Sequence, residues 1–190
     1  MSAWVFGSSS DYSIAVGKRL KDTLYWGRNN VDYTDFDSFI ENKQLPDHIF
    51  VNIGVEEKLS VPAFATFKNW QDMLTTYMNT QFFVYRLLQH IHLNAKHNVV
   101  FCMVTSSITV WPQAHPEHVS YAVLRSIGQI IAFAHSNEHL RIIAVSPNQI
   151  TAERTEEYAE RTVEYMNKGE HIQGIVDLNE NIIWRYESNI

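Results

Sequence analysis

Three groups of residues in this 190-residue chain have types and spacings that could do chemistry. The first is Thr105-Ser106-Ser107, a run of hydroxyls that ends the apolar stretch Val99-Val100-Phe101-Cys102-Met103-Val104. The second is Tyr121 with Arg125, whose spacing puts both on one face of a helix. A phenol titrates near pH 10 or so, and it exchanges protons at neutral pH only when a cation and hydrogen bonds poise it. An exposed Tyr–Arg contact on a helix surface would have the same spacing. The third is the loop Gly7-Ser8-Ser9-Ser10-Asp11-Tyr12-Ser13, between Ala3-Trp4-Val5-Phe6 and a helical pattern that begins at Ile14. A strand, a Gly/Ser turn and a helix opening together aim backbone amides and a positive dipole end at an anion. A plain polar turn with a capped helix accounts for the composition equally well. In either case Ser13 is the expected N-cap.

The nine histidines raise the question of a metal. His90 and His92 are two apart on a helical pattern and do not share a face, while His115 and His118 flank Pro116. His135 and His139 have chelating spacing, but Glu138 falls in the wrong register for a metalloprotease helix. No metal is expected.

These residues need a frame, and the hydropathy pattern supplies one. Val99–Val104 and Arg141-Ile142-Ile143-Ala144-Val145 are apolar runs of strand length, as expected of strands buried on both faces. The apolar-periodic segment Ser126 to His135 between them completes a βαβ unit with a right-handed crossover. Further strands are expected at Ala3–Phe6, at Val31-Asp32-Tyr33 and over His48 to Gly54. Thr23-Leu24-Tyr25-Trp26 either finishes the first helix or forms a short strand. Helices are expected from Ile14 to Leu24, after an Asp35 cap, from Trp70 to about Leu93 and from Glu153 to Lys168. Two short strands, Ile172–Val176 and Asn181–Tyr186, close the chain around a tight turn. Alternating strands and helices predict an α/β three-layer sandwich with a mostly parallel sheet, in one domain over 1–190. In such sheets ligands bind beyond the carboxyl ends of the strands, where Thr105–Ser107 would lie.

Composition narrows the function classes. The chain is 45% hydrophobic and 13% aromatic with net charge −6, which is globular and argues against a nucleic-acid surface. No run approaches the length of a membrane span, and no basic leader with an apolar core opens the chain. A cytoplasmic protein is the expectation. The single Cys102 sits in an expected core strand and excludes an intramolecular disulfide.

From Met1 to about Asn148 the chain resembles the short-chain dehydrogenase/reductases, a Rossmann-fold family. Trp4-Val5-Phe6-Gly7 resembles the first strand and glycine turn. The spacing from Gly7 to Ser13-Ile14-Ala15 resembles the divergent branch that contains enoyl-acyl-carrier-protein reductases. Asp32 resembles the acidic residue that contacts the adenine, and Val51-Asn52-Ile53-Gly54 the family's Asn-Asn-Ala-Gly strand end. Asn79 matches the mid-helix Asn, Ser107 the catalytic Ser, and Tyr121 with Arg125 the Tyr-x-x-x-Lys pair. Ser146-Pro147-Asn148 resembles the Pro-Gly turn.

The resemblance implies an NAD(P)-dependent oxidoreductase acting on a carbonyl/hydroxyl or enoyl small-molecule substrate. Tyr121 is then the acid/base, Ser107 orients the carbonyl, Arg125 stands in the Lys position and Asn79 supports them. Gly7, Ser8, Ser9, Ser13, Ile14, Arg28, Asp32, Asn52, Gly54 and Pro147 would bind NAD or NADP. Arg28 stands where a 2′-phosphate contact could lie. The family also implies a homo-oligomer through the helices at 70–93 and 121–135. The chain departs from the pattern at Asp11, Ser13 and Arg125, and in a shortened second-strand region. A catalytically degenerate Rossmann-fold protein serving as a binding or assembly module is the alternative.

Overall fold

The structure is a computed structural model and describes residues 2–52, 67–104, 139–147, 151–168, 174–178 and 183–185. Among the described residues, seven strands form one sheet in the order β2-β1-β3-β4-β5-β6-β7. They are β1 (Ala3–Phe6), β2 (Thr23–Trp26), β3 (His48–Val51), β4 (Val99–Val104), β5 (Leu140–Ser146), β6 (Gly174–Asp177) and β7 (Ile183–Arg185). Each neighbouring pair is parallel except β6–β7, which is antiparallel. The described helices are α1 (Asp11–Arg19), α2 (Phe36–Ile40), α3 (Phe67–Asn94) and α4 (Ala152–Asn167).

The strands are apolar on both faces because both faces are covered. Trp4, Phe6, Ile49, Val51, Phe101, Met103, Ile142 and Ala144 pack with Phe36 and Phe39 of α2 and with Phe83, Leu87 and Ile91 of α3. Val5, Phe50, Cys102, Val104, Ile143 and Val145 face the other way, onto Tyr12 and Val16 of α1 and Tyr158, Val163 and Met166 of α4. The period-2 alternation of side chains along each strand divides the residues between these two layers. The expected α/β three-layer sandwich with a mostly parallel sheet is thus the observed one.

Several boundaries differ from expectation, for local reasons. The first helix begins at Asp11 and stops at Arg19. Asp22 then turns with φ 46, and Thr23–Trp26 pairs with β1. Leu24, expected on the buried face of that helix, is exposed in a strand at the sheet edge. Val31–Tyr33 lies in turns and is not a strand, because Asn30 and Val31 both donate backbone hydrogen bonds to Gly27. Between α1 and β3 the chain therefore has one short strand and the five-residue α2, the clipped second-strand region that the sequence predicts. Asp35 caps α2 as expected, accepting from the Ser38 amide at 3.1 Å.

On α3 the apolar residues lie on two faces. Phe83, Val84, Leu87, Leu88 and Ile91 are buried, while Met78 and Phe82 are exposed. Among the described residues, no helix is long and apolar enough to cross a membrane. The expected helix at 126–135 lies outside the described residues.

Candidate functional site

The chain leaves β1 for β2 on one side and returns past it to β3 on the other. The carboxyl ends of β1 and β3 are thus the topological switch point, where a crevice opens in sheets of this kind. Gly7 sits there with φ +90. A Cβ on it would lie 2.1 Å from the Asn52 carbonyl oxygen, so only glycine fits both the backbone angle and the space. The Asn52 amide donates to the Phe6 carbonyl at 3.1 Å, which draws the two strand ends together. β2 joins them: the amides of Gly7 and Ser8 both donate to the Trp26 carbonyl, at 2.9 and 3.3 Å. Ser10 closes the turn with its amide on the Gly7 carbonyl at 3.1 Å.

The opening of α1 follows this turn. The N-cap is Ser10, extended at φ −91 and ψ 130, and its side chain makes no capping hydrogen bond. That corrects the expectation that Ser13 is the N-cap: Ser13 is buried within the first turn. The Asn52 side-chain amide reaches both hydroxyls, donating to Ser10 Oγ and to Ser13 Oγ at 3.1 Å each. Ile14 begins the helical ladder, its amide on the Ser10 carbonyl at 3.0 Å. The amides before it, at Asp11, Tyr12 and Ser13, have no acceptor one helical turn back, and they carry the positive end of the helix dipole. Ser9 and Asp11 are exposed beside them.

Beyond the end of β2 lies a cavity of about 400 Å³ lined by Arg28, Asn29, Asn30, Val31, Asp32 and Tyr33. Asn30 builds its wall. Its side chain accepts from the Gly27 amide at 2.7 Å and donates to the Tyr25 carbonyl at 2.9 Å. Asp32 lines this cavity from a turn, not from the strand end expected of it. Its carboxylate accepts from the Thr34 hydroxyl at 2.6 Å and the Thr34 amide at 2.8 Å. These bonds hold it below the usual carboxylate range. Tyr33 packs edge-on to Phe83 at 5.1 Å. Burial pushes its phenol up to about 12, with the Arg28 cation pulling the other way. Arg28 itself is exposed.

The structure therefore gathers Gly7, Ser8, Ser9, Ser13, Ile14 and Asn52 at the switch point and places Arg28 and Asp32 in the adjoining cavity. Pro147 is buried just past the end of β5, further along the same edge of the sheet. Asn79 is exposed on α3. Ser107, Tyr121, Arg125 and Gly54 lie outside the described residues. Two features escaped sequence reasoning. The Asn52–Ser10–Ser13 link joins residues about forty positions apart, and no local pattern announces it. Ser146, only 2% exposed with a hydroxyl lacking any partner, reads in sequence as part of a turn.

No protein-family model and no curated protein matches the sequence. Solved structures do. The chain superposes on a short-chain dehydrogenase/reductase from Vibrio parahaemolyticus with TM-score 0.66 and 14% identity, over 92% of this chain and 99% of that one. For serine dehydrogenase from Escherichia coli the values are 0.67 and 11%, over 93% and 96%. For the protein lin1944 from Listeria innocua they are 0.69 and 19%, over 89% and 94%. The fold is that of the short-chain dehydrogenase/reductases. At such identities the likeness is one of backbone.

The residues at the switch point fit a dinucleotide. Glycine at φ +90 leaves the strand end bare for close approach, and the uncapped opening of α1 offers amides to a pyrophosphate. The cavity past β2 has a cation and polar groups for a nucleoside. Among the described residues, no three His, Cys, Asp or Glu side chains are grouped to hold a metal.

Proposed function

We propose that the chain is an NAD(P)-dependent oxidoreductase of the short-chain type, acting on a carbonyl/hydroxyl or enoyl substrate. The observation that carries this reading is Gly7, left-handed and pressed on Asn52 at the switch point, directly before the uncapped opening of α1. Bound NAD(P) would supply or accept the hydride. The amides that open α1 would hold its pyrophosphate, and Arg28 and Asp32 would hold its adenosine end. Ser107 holds the substrate oxygen and Tyr121 gives a proton to the alkoxide that develops there. Arg125 lowers the phenol's pKa by its charge. A guanidinium does not give up a proton in proteins, so it stabilises the tyrosinate without relaying. Asn79 supports this group from α3. The exposed Met78 and Phe82 on α3 support a homo-oligomer formed through that helix.

One observation favours the second reading, a degenerate module that binds without turnover. The Gly7 and Ser8 amides are already taken by the Trp26 carbonyl, so two donors of the glycine turn are not free for phosphate. Tyr121→Phe separates the readings, because it removes only the hydroxyl. In the enzyme, turnover of an accepted carbonyl substrate falls roughly 100-fold or more while nucleotide affinity holds. Arg125→Lys retains or raises activity and moves the pH optimum. Turnover that survives Tyr121→Phe intact would overturn the mechanism.

A further inference from the structure

Tyr12 is the second residue of α1, in the turn whose amides face the switch point, yet its side chain is fully buried. It packs in the layer of Val5, Phe50, Ile143 and Val145, and its ring meets Phe50 of β3 edge-on, with centroids 5.6 Å apart. Its hydroxyl lies 2.5 Å from Thr162 Oγ1 of α4, across 150 residues of sequence. Thr162 is fully buried too, and its Oγ1 donates to the Tyr158 carbonyl one turn back, at 2.7 Å. A carbonyl only accepts, and a hydroxyl has one hydrogen. Thr162 therefore gives its hydrogen to Tyr158, and the donor of the first bond is Tyr12. Burial pushes the Tyr12 phenol well above its ordinary range, so it keeps that proton.

Apolar packing alone would fill this layer. A buried hydroxyl pair adds direction, because it is satisfied in one arrangement and costly in others. The next residue is tied as well: Ser13 Oγ accepts from the Asn52 side chain of the β3 end at 3.1 Å. Successive residues of a helix project roughly 100° apart, so the two ties pull in different directions, one to α4 and one to β3. One tie leaves a turn free to tilt about it; two do not. The amides of Asp11, Tyr12 and Ser13, which have no acceptor within the helix, belong to this doubly held turn.

We propose that Tyr12 is a positioning residue: by donating to Thr162 it fixes the first turn of α1 so that its free amides meet a pyrophosphate, an inference that rests on the dinucleotide reading above. The phenol itself lies in the core and touches no ligand. Its effect passes through the amides, whose hydrogen bonds weaken steeply as they turn off line. The effect is therefore the same for every ligand that carries the pyrophosphate, with or without a nicotinamide.

Tyr12→Phe and Thr162→Val each remove the bond with little change of shape, whereas Thr162→Ser keeps the hydroxyl. Affinities for NADH, NADPH and ADP-ribose are measured well below each protein's melting temperature; ADP-ribose carries the pyrophosphate and adenosine but no nicotinamide. Tyr12→Phe and Thr162→Val should each bind the preferred dinucleotide about 3- to 10-fold more weakly, the effect of one hydrogen bond, and ADP-ribose more weakly by the same factor. Thr162→Ser should bind as the parent does. The double variant Tyr12→Phe/Thr162→Val should bind no more weakly than the weaker single one, because both changes remove one interaction. A melting temperature that falls while these affinities hold would overturn the assignment, since a packing role moves stability alone. Losses that multiply in the double variant would overturn it too. If the unmodified protein binds neither dinucleotide nor ADP-ribose, the dinucleotide reading itself fails and the Tyr12 assignment goes with it.

Discussion

At the scale of single residues, Gly7 is the position with least freedom. Any side chain there meets the Asn52 carbonyl and must adopt a positive φ. A left-handed non-glycine residue costs about 1–2 kcal/mol before the clash is counted. Gly7→Ala should therefore lower the melting temperature by at least about 3 °C for a chain of this size, and a variant as stable as the parent would contradict the local geometry. A glycine at the end of a first strand was legible from sequence, since the turn and the following helix frame it. The roles of its neighbours were not. Ser13 reads as an N-cap because the apolar pattern starts at Ile14, yet the helix opens one turn earlier, at Asp11. The buried face there is set by Tyr12, Ala15 and Val16 against α4, a long-range contact that a local reading cannot contain.

At the scale of elements, the central strands were the legible part. β4 has the expected bounds, and β5 extends one residue beyond them at each end, because an uninterrupted apolar run has few other uses in a soluble fold. Ile143 is fully buried in β5. Ile143→Asp places an unpaired charge there at a cost of several kcal/mol, comparable to the whole stability of a domain. No cooperative melting transition should remain; a cooperatively folded variant would mean that β5 is misplaced. Val100, expected to be as central, is only partly buried against the core, so Val100→Asp should be the milder of the two. What failed at this scale was the stretch between α1 and β3. Thr23–Trp26 read either as the end of the first helix or as a short strand, and Val31–Tyr33 as a brief strand; the side chain of Asn30 binds Gly27 and Tyr25 and folds the second segment into a turn.

At the scale of the whole molecule, the two edges of the sheet divide the work. The amino-terminal edge is a structural seam. The Ser2 amide donates to Asp47 Oδ2 at 2.7 Å, and the Val100 amide to the Asp47 carbonyl at 2.9 Å. Beside it His48 is buried. Burial holds its imidazole below the ordinary 6.5; Asp47 opposes this, while Arg141 and the amino terminus reinforce it. His90 is lowered by burial too. A folded state that binds these protons less readily than the unfolded chain loses stability as pH falls through the unfolded value. The melting temperature should thus drop between about pH 7.5 and about pH 5.5, and His48→Gln with His90→Gln should flatten that slope. A profile unchanged by the double substitution would refute the assignment. The carboxyl edge is the candidate site, and the central claim concerns it: the turn from β1 into α1 binds a dinucleotide. Titration of the protein with NADH and with NADPH, following the fluorescence of the reduced nicotinamide, tests that claim most directly. The account predicts saturable binding of at least one of the two, displaced by ADP-ribose. No saturable signal with either nucleotide would contradict it.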